Sequence, residues 1–211
     1  IWLQLDQNRR QKDSDGFLSS TSTLSDTLTT FVAVIGTHIT SSDRGLHLTK
    51  VVDKNGKELN YTIIKTMMRI DMPSDLLPDG AFSFRIKWHY NINDRMKIGG
   101  RSGYEFFPED GNYLYTIAQF FPRLCVYNEV EGWQHKQFLG RGEFTLDFGN
   151  YDVKITVPSD HVVAATGELQ NQRECMTETQ LSRWDEAKTA DKPVVIVTQD
   201  EATETEKGRA T

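Results

Sequence analysis

Residues 81–90 read AFSFRIKWHY. Phe82, Phe84, Ile86 and Trp88 alternate with Ser83, Arg85, Lys87 and His89. Successive side chains of a strand point to opposite faces, so this spacing gathers four large apolar groups on one side. The stretch is predicted as a half-buried antiparallel strand. Before it stands the turn sequence Leu77-Pro78-Asp79-Gly80, and before that a strand-like run, TMMRIDM at 66–72, stopped by Pro73.

The strongest hairpin signal lies further back. Residues 46–52, LHLTKVV, lead into Asp53-Lys54-Asn55-Gly56-Lys57, and a return strand is expected over 59–64. Asn-Gly supplies the positive φ angles of a tight turn at little steric cost. FVAVIGTHI at 31–39 reads as a buried strand, and residues 1–8 alternate as a short one. Residues 9–30, rich in Ser, Thr and Asp, read as a mobile loop.

Downstream, IGGRSG at 98–103 is a glycine-bearing connection that matches no dinucleotide or phosphate fingerprint. Residues 113–127 are aromatic and apolar, broken by Pro122. Residues 144–157 are strand-like, with Tyr151, Val153, Ile155 and Val157 on one face. A turn at 158–160 and a returning strand over 162–166 are expected next. Helix is expected only near the end, where Thr177 and Gln180 fit a capping box ahead of Leu181 and Trp184. Residues 194–197, VVIV, read as one more strand, and Thr198 with Glu201 as the cap of a final short helix. The sum is an all-β chain: a saddle-shaped antiparallel β-sandwich with a short helix near the C-terminus, one domain over 1–211.

Bulk properties remove several classes. The 211 residues are 37% hydrophobic and 26% charged, enough for a packed core, and carry a net charge of −6. An acidic balance argues against a nucleic-acid-binding module. No apolar run approaches the about 20 residues of a membrane span. The first residues, IWLQLD, lack the charged start of a secretory signal and an initiator Met, so the chain reads as a piece processed or excised from a longer one. Cys125 and Cys175 can pair only in an oxidising compartment, and Cys125, in an apolar run, reads as a buried structural thiol.

Catalytic patterns are missing. The five histidines, His38, His47, His89, His135 and His161, include no H-E-x-x-H and no helical ligand pair. His161, just after Pro158-Ser159-Asp160, reads as an exposed or turn-bonded imidazole. There is no G-x-S-x-G elbow, and the acid pairs Glu109-Asp110 and Asp185-Glu186 read as solvated.

A longer pattern is more telling. IAQFFPRL at 117–124, Gly132-Trp133, GRGEF at 140–144 and YDVKITVPSDHVVAATGEL at 151–169 together resemble the N-terminal domain of aminopeptidase N-like zinc metallopeptidases, in their bacterial branch. The likeness extends over nearly the whole chain and is most specific from 119 to 169. It implies a saddle-shaped β domain packed on a separate catalytic domain of the same polypeptide. That other domain would carry H-E-x-x-H, a later Glu and the zinc, and neither those motifs nor G-x-M-E-N occurs here. The chain alone is therefore expected to be inactive, with no catalytic residue, metal ligand or cofactor of its own.

The resemblance also implies one loan to the active site. A Gln or Glu shortly before an Arg binds the α-ammonium of the peptide substrate, and Gln119 ahead of Arg123 matches it. The alternative for Gln119 is a sheet residue bonded structurally. Arg123 is expected as an interdomain or strand-anchoring cation. After it the animal-type F-P-C-x-D-E-P run is replaced by LCVYNE at 124–129. Members of the bacterial branch are often exported, which favours a periplasmic or extracellular site. The small Ala164, Ala165 and Gly167 would let a neighbouring sheet or domain approach closely. A second reading of a different kind is a stand-alone β-sandwich module binding protein or carbohydrate, with Trp88, Tyr90, Phe106 and Phe107 as candidate exposed rings.

Overall fold

A computed structural model describes residues 1–19, 44–100, 102–109, 111–140 and 146–207. The expected strand over 31–39 lies outside the described residues, as do 20–30 of the expected loop and the GRGEF stretch from residue 141 on. The chain divides into two compact units, 1–149 and 150–211.

The first unit is built from small antiparallel sheets. Its largest holds four strands in the order β3 (Tyr61–Ile64), β4 (Met67–Ile70), β1 (Trp2–Gln4) and β8 (Arg123–Leu124). A two-stranded ladder joins β2 (His47–Asp53) to β5 (Phe84–His89), with a register shift between Leu48 and Lys50. A second joins β6 (Gly103–Phe107) to β7 (Asn112–Thr116), and a third β9 (Tyr127–Asn128) to β10 (Gly132–Trp133).

One apolar cluster connects the first two sheets. Leu3, Met68 and Ile70 from the four-stranded sheet meet Val51 from β2, together with Leu5, Leu46 and Leu59. Phe82, Phe84, Ile86, Trp88 and Tyr90 pack against it. The alternation over 81–90 therefore does what period-two spacing requires: the even-numbered face turns to the core and Arg85, Lys87 and His89 stay exposed. Burying side chains of this size stabilises by about 1.5–3 kcal/mol each, which makes the cluster the main source of stability in this unit.

The Asn-Gly turn forms, but its strands part. Asp53 Oδ1 accepts from the Asn55 and Lys57 amides, and Gly56 takes φ 87°. The reversal is carried by one bridge, Val52 to Glu58, and by Leu59 N donating to Val51 O. Beyond Leu59 the return strand leaves β2 and ladders with β4. Turn chemistry fixes a local reversal, whereas the partner of a strand is chosen by what its faces bury. Val51 and Val52 are buried and find in β5 a strand with an apolar face, whereas Tyr61–Ile64 is exposed throughout and ladders with β4.

Other expectations need correction. The strand read over 1–8 ends at Gln4; Asp6–Arg10 is a 3-10 turn, because Asp6, Gln7 and Asn8 are buried polar residues whose side chains reach other segments. Helix is not confined to the end. Ser14 caps a turn at Asp15–Leu18, and Asp94 caps one at Arg95–Ile98. No ladder forms in the described part of 144–157, nor over 162–166 or 194–197. Tyr151, Val153, Ile155 and Val157 are 69, 58, 51 and 41% exposed, so their alternation has no sheet to serve among the described residues. Ala164, Ala165 and Gly167 are exposed too.

In the second unit the caps read from sequence are present. Thr177 accepts from the Gln180 amide while the Gln180 side chain accepts from the Thr177 amide, opening the helix Glu178–Ala187. Thr198 and Glu201 cap Gln199–Lys207 in the same reciprocal way. Arg183 ties the two helices together, donating to Glu201 and to the Ile196 carbonyl.

Both cysteines are free thiols. Cys125 is 2% exposed, and burial, with Asp6 adding to it, pushes its thiol up to about 11. Cys175 is exposed. A thiol reagent at mildly alkaline pH is expected to label one thiol per folded chain, and Cys175→Ser to abolish that fast phase. Rapid labelling of two thiols would show that Cys125 is not sealed in.

Candidate functional site

Gln119 lies in the loop between β7 and β8, not on a strand. Its φ is 52°, in the left-handed region that costs an L-residue about 1–2 kcal/mol. Among the described residues only Lys65 and Asp79 are other non-glycine positions with positive φ.

Two side chains from elsewhere hold this loop. Gln7 Nε2 donates to both the Ala118 and Gln119 carbonyls at 3.0 Å. Trp88 Nε1 donates to the Phe120 carbonyl at 2.7 Å. Each anchor is itself fixed, Gln7 by burial in the 3-10 turn and Trp88 by packing on the core cluster. The backbone of 118–120 is thus set by the fold, while the half-buried Gln119 amide side chain makes no hydrogen bond to a described residue. Against the alternative of a structurally bonded sheet residue, Gln119 is off the strands and its side chain is unbonded among the described residues.

Arg123, just beyond this loop, is held by Asp6. Its Nε and Nη2 donate to Asp6 Oδ2 and Oδ1 at 2.5 and 2.6 Å, a bidentate pair. The Asp6 side chain is fully buried and also accepts from Gln4 Nε2. Arg123 is a strand-anchoring cation: it fastens β8 to the chain just beyond β1, where Leu3 and Gln4 already pair with Leu124 and Arg123.

The histidines are dispersed. His47 and His89 face each other across the β2–β5 ladder with ring centroids 5.0 Å apart. His135 leans on Trp2, and His161 bonds Asp160 at the turn after Pro158, as its position suggested. His38 lies outside the described residues. Among the described residues no group of three or more His, Cys, Asp or Glu is arranged to hold a metal ion, and no helix is long and apolar enough to cross a membrane.

The candidate rings divide. Trp88 and Tyr90 pack on the core, whereas Phe106 and Phe107 are 45 and 37% exposed. The register of β6 and β7 sets Tyr104 opposite Tyr115 and Phe106 opposite Tyr113, so four rings share one face of the hairpin. Phe106 and Tyr113 lie 4.7 Å apart, Tyr113 and Tyr115 6.0 Å apart and nearly parallel. Sequence reading missed both tyrosines of β7, although NYLYT at 112–116 carries the alternation that would have found them.

The geometry defines a β-rich protein with a clamped loop at 118–120, in which Gln119 takes positive φ and its side-chain amide has no partner among the described residues. No family model matches the chain, and neither a curated protein nor a solved structure does.

Proposed function

We propose that the chain is the N-terminal domain of a zinc-dependent aminopeptidase of the aminopeptidase N-like type, a saddle-shaped β-sandwich that shapes the substrate cleft and does no chemistry itself. The observation that carries this reading is Gln119. Strained backbone persists where surrounding structure over-determines it, and such positions cluster at ligand contacts. Here Gln7 and Trp88 hold the backbone, and the Gln119 side-chain amide has no hydrogen-bond partner among the described residues. A peptide's α-ammonium is a donor of the right kind for the oxygen of that amide. The catalytic domain of the same polypeptide would hold the zinc, which would supply Lewis-acid activation for peptide hydrolysis there. The reading asks for no metal ligand among the residues of this chain.

The test is aminopeptidase turnover of a chromogenic aminoacyl substrate by this chain joined to the segment that follows it in its gene. Activity should need the longer chain and zinc. Gln119→Ala should then lower kcat/KM roughly tenfold to a hundredfold, the loss of a hydrogen bond to a charged group. An unchanged kcat/KM would remove Gln119 from the substrate site, and an inert longer chain would sink the reading.

The second reading, a module binding carbohydrate or protein, is favoured by the four-ring face of the β6–β7 hairpin. Glycan binding by the 211-residue chain, lost in Tyr113→Ala, would support it.

A further inference from the structure

Of the nine asparagines in the chain, one stands in the pattern Asn-x-Ser/Thr with x other than proline: Asn60, followed by Tyr61 and Thr62. That tripeptide is the acceptor signal for N-linked glycosylation, read where the asparagine lies on the surface of an exported protein. Glu58, two residues ahead, adds the acid that the stricter bacterial form of the signal requires.

The fold leaves the signal within reach. Leu59 is buried and its amide donates to the Val51 carbonyl, which anchors the chain just before the acceptor. Glu58, Asn60, Tyr61 and Thr62 are all exposed. Asn60 uses its backbone carbonyl to accept from the Asp71 amide at 2.9 Å. Its side-chain amide and the Thr62 hydroxyl have no partner among the described residues.

Strand periodicity places the two groups together. Tyr61 and Ile63 stand opposite Ile70 and Met68, which belong to the core cluster. Residues two apart on a strand share a face, so Asn60 and Thr62 lie on the other side, where Thr62 is paired with the exposed Arg69. The acceptor amide and the hydroxyl by which a transferase selects it therefore project from the outer face of the sheet. β3 also ends the strand order, with β4 on one side and no strand of the described residues on the other. Open edges invite pairing with another chain, and a bulky hydrated glycan at the entry to this one would obstruct it.

We propose that Asn60 is the acceptor of an N-linked glycan when the chain is exported past an oligosaccharide transferase. The donor is an oligosaccharide carried as a polyprenyl diphosphate ester. Asn60 Nδ2 forms a bond to the anomeric carbon of the glycan, and the bond from that carbon to the diphosphate oxygen breaks. The diphosphate leaves with the electron pair, the amide gives up one proton, and nothing is oxidised or reduced. The site needs export and not peptidase activity, so failure of the aminopeptidase reading leaves it standing.

The experiment expresses the 211-residue chain behind a cleavable export leader in a bacterial host equipped with such a transferase and its lipid-linked donor. A reporter protein of known acceptor competence shares the cells, and the same chain without a leader is the reference. Intact mass and fragmentation of the tryptic peptide Glu58–Lys65 are read. The exported chain should gain one glycan mass, carried on Asn60, and the unexported chain none. Asn60→Gln, Thr62→Val and Glu58→Gln should each lose it, while Thr62→Ser should keep it. Valine suits an exposed strand position at least as well as threonine, so loss in Thr62→Val reports the missing hydroxyl and not a broken strand. Mass is read on the denatured chain, which keeps the readout usable for a variant that does not fold. An exported chain without glycan beside a modified reporter, or a glycan mass that persists in Asn60→Gln, would overturn the site.

Discussion

Arg123→Met is expected to lower the unfolding free energy of the chain by about 3–5 kcal/mol. The reason is what remains behind. Asp6 is buried entirely, and with Arg123 gone its carboxylate keeps a single side-chain donor, the Gln4 amide. A buried charge stripped of its counter-ion loses the attraction and retains the desolvation cost. The side chain of Arg123 is 22% exposed, so the pair is screened only weakly by solvent. Urea unfolding followed by tryptophan fluorescence reads the change, since Trp2 lies on the strand that β8 pairs with. The double variant Asp6→Leu/Arg123→Met removes both charges and should recover a large part of the loss. A single-variant loss under about 1 kcal/mol would place the pair among ordinary surface ion pairs.

Local chemistry is legible in the sequence: the alternation over 81–90, the Asn55-Gly56 reversal, and the Thr177–Gln180 and Thr198–Glu201 caps all depend on neighbours close along the chain. Partner choice is not. The Asn-Gly turn predicts a ladder of 46–52 with 59–64, and β2 instead pairs with the later strand Phe84–His89. Residues 151–157 have strand composition and no ladder, because composition states that a segment suits a sheet and not that a sheet is there.

The site divides in the same way. Gln119 is reachable only through a resemblance to other proteins. Nothing in the letters marks Gln7, Asn8 or Arg10, which alternation assigns to a strand or composition to a loop. Their roles come from side chains that cross long stretches of sequence to meet backbone carbonyls and amides. Such contacts leave no periodic trace.

Asn8→Ala is the second large effect expected, a loss of about 2–4 kcal/mol. Asn8 is 2% exposed and joins three segments that share no ladder. Its Oδ1 accepts from the Leu46 amide at 2.7 Å, fixing the entry to β2, and its Nδ2 donates to the Lys65 carbonyl at 2.9 Å. Lys65 sits at φ 56° in the two-residue turn between β3 and β4, so this bond helps hold a conformation that lysine disfavours. Alanine leaves the buried Leu46 amide without a partner, which alone costs about 1–3 kcal/mol, and removes the second bond, worth about 1 kcal/mol.

Gly45 supplies the internal control. A Cβ there would lie 2.8 Å from Asn8 Oδ1 and 2.5 Å from Gln11 Nε2, at φ 98°. Gly45→Ala should therefore destabilise the wild-type chain, and destabilise less where Asn8 is already alanine, since one of the two clashes is gone. Hydrogen exchange at Leu46 distinguishes the mechanisms: its amide should lose protection in Asn8→Ala ahead of the core strands. If Leu46 keeps its protection while stability falls, the cost of Asn8→Ala lies in the Lys65 turn and not at the entry to β2.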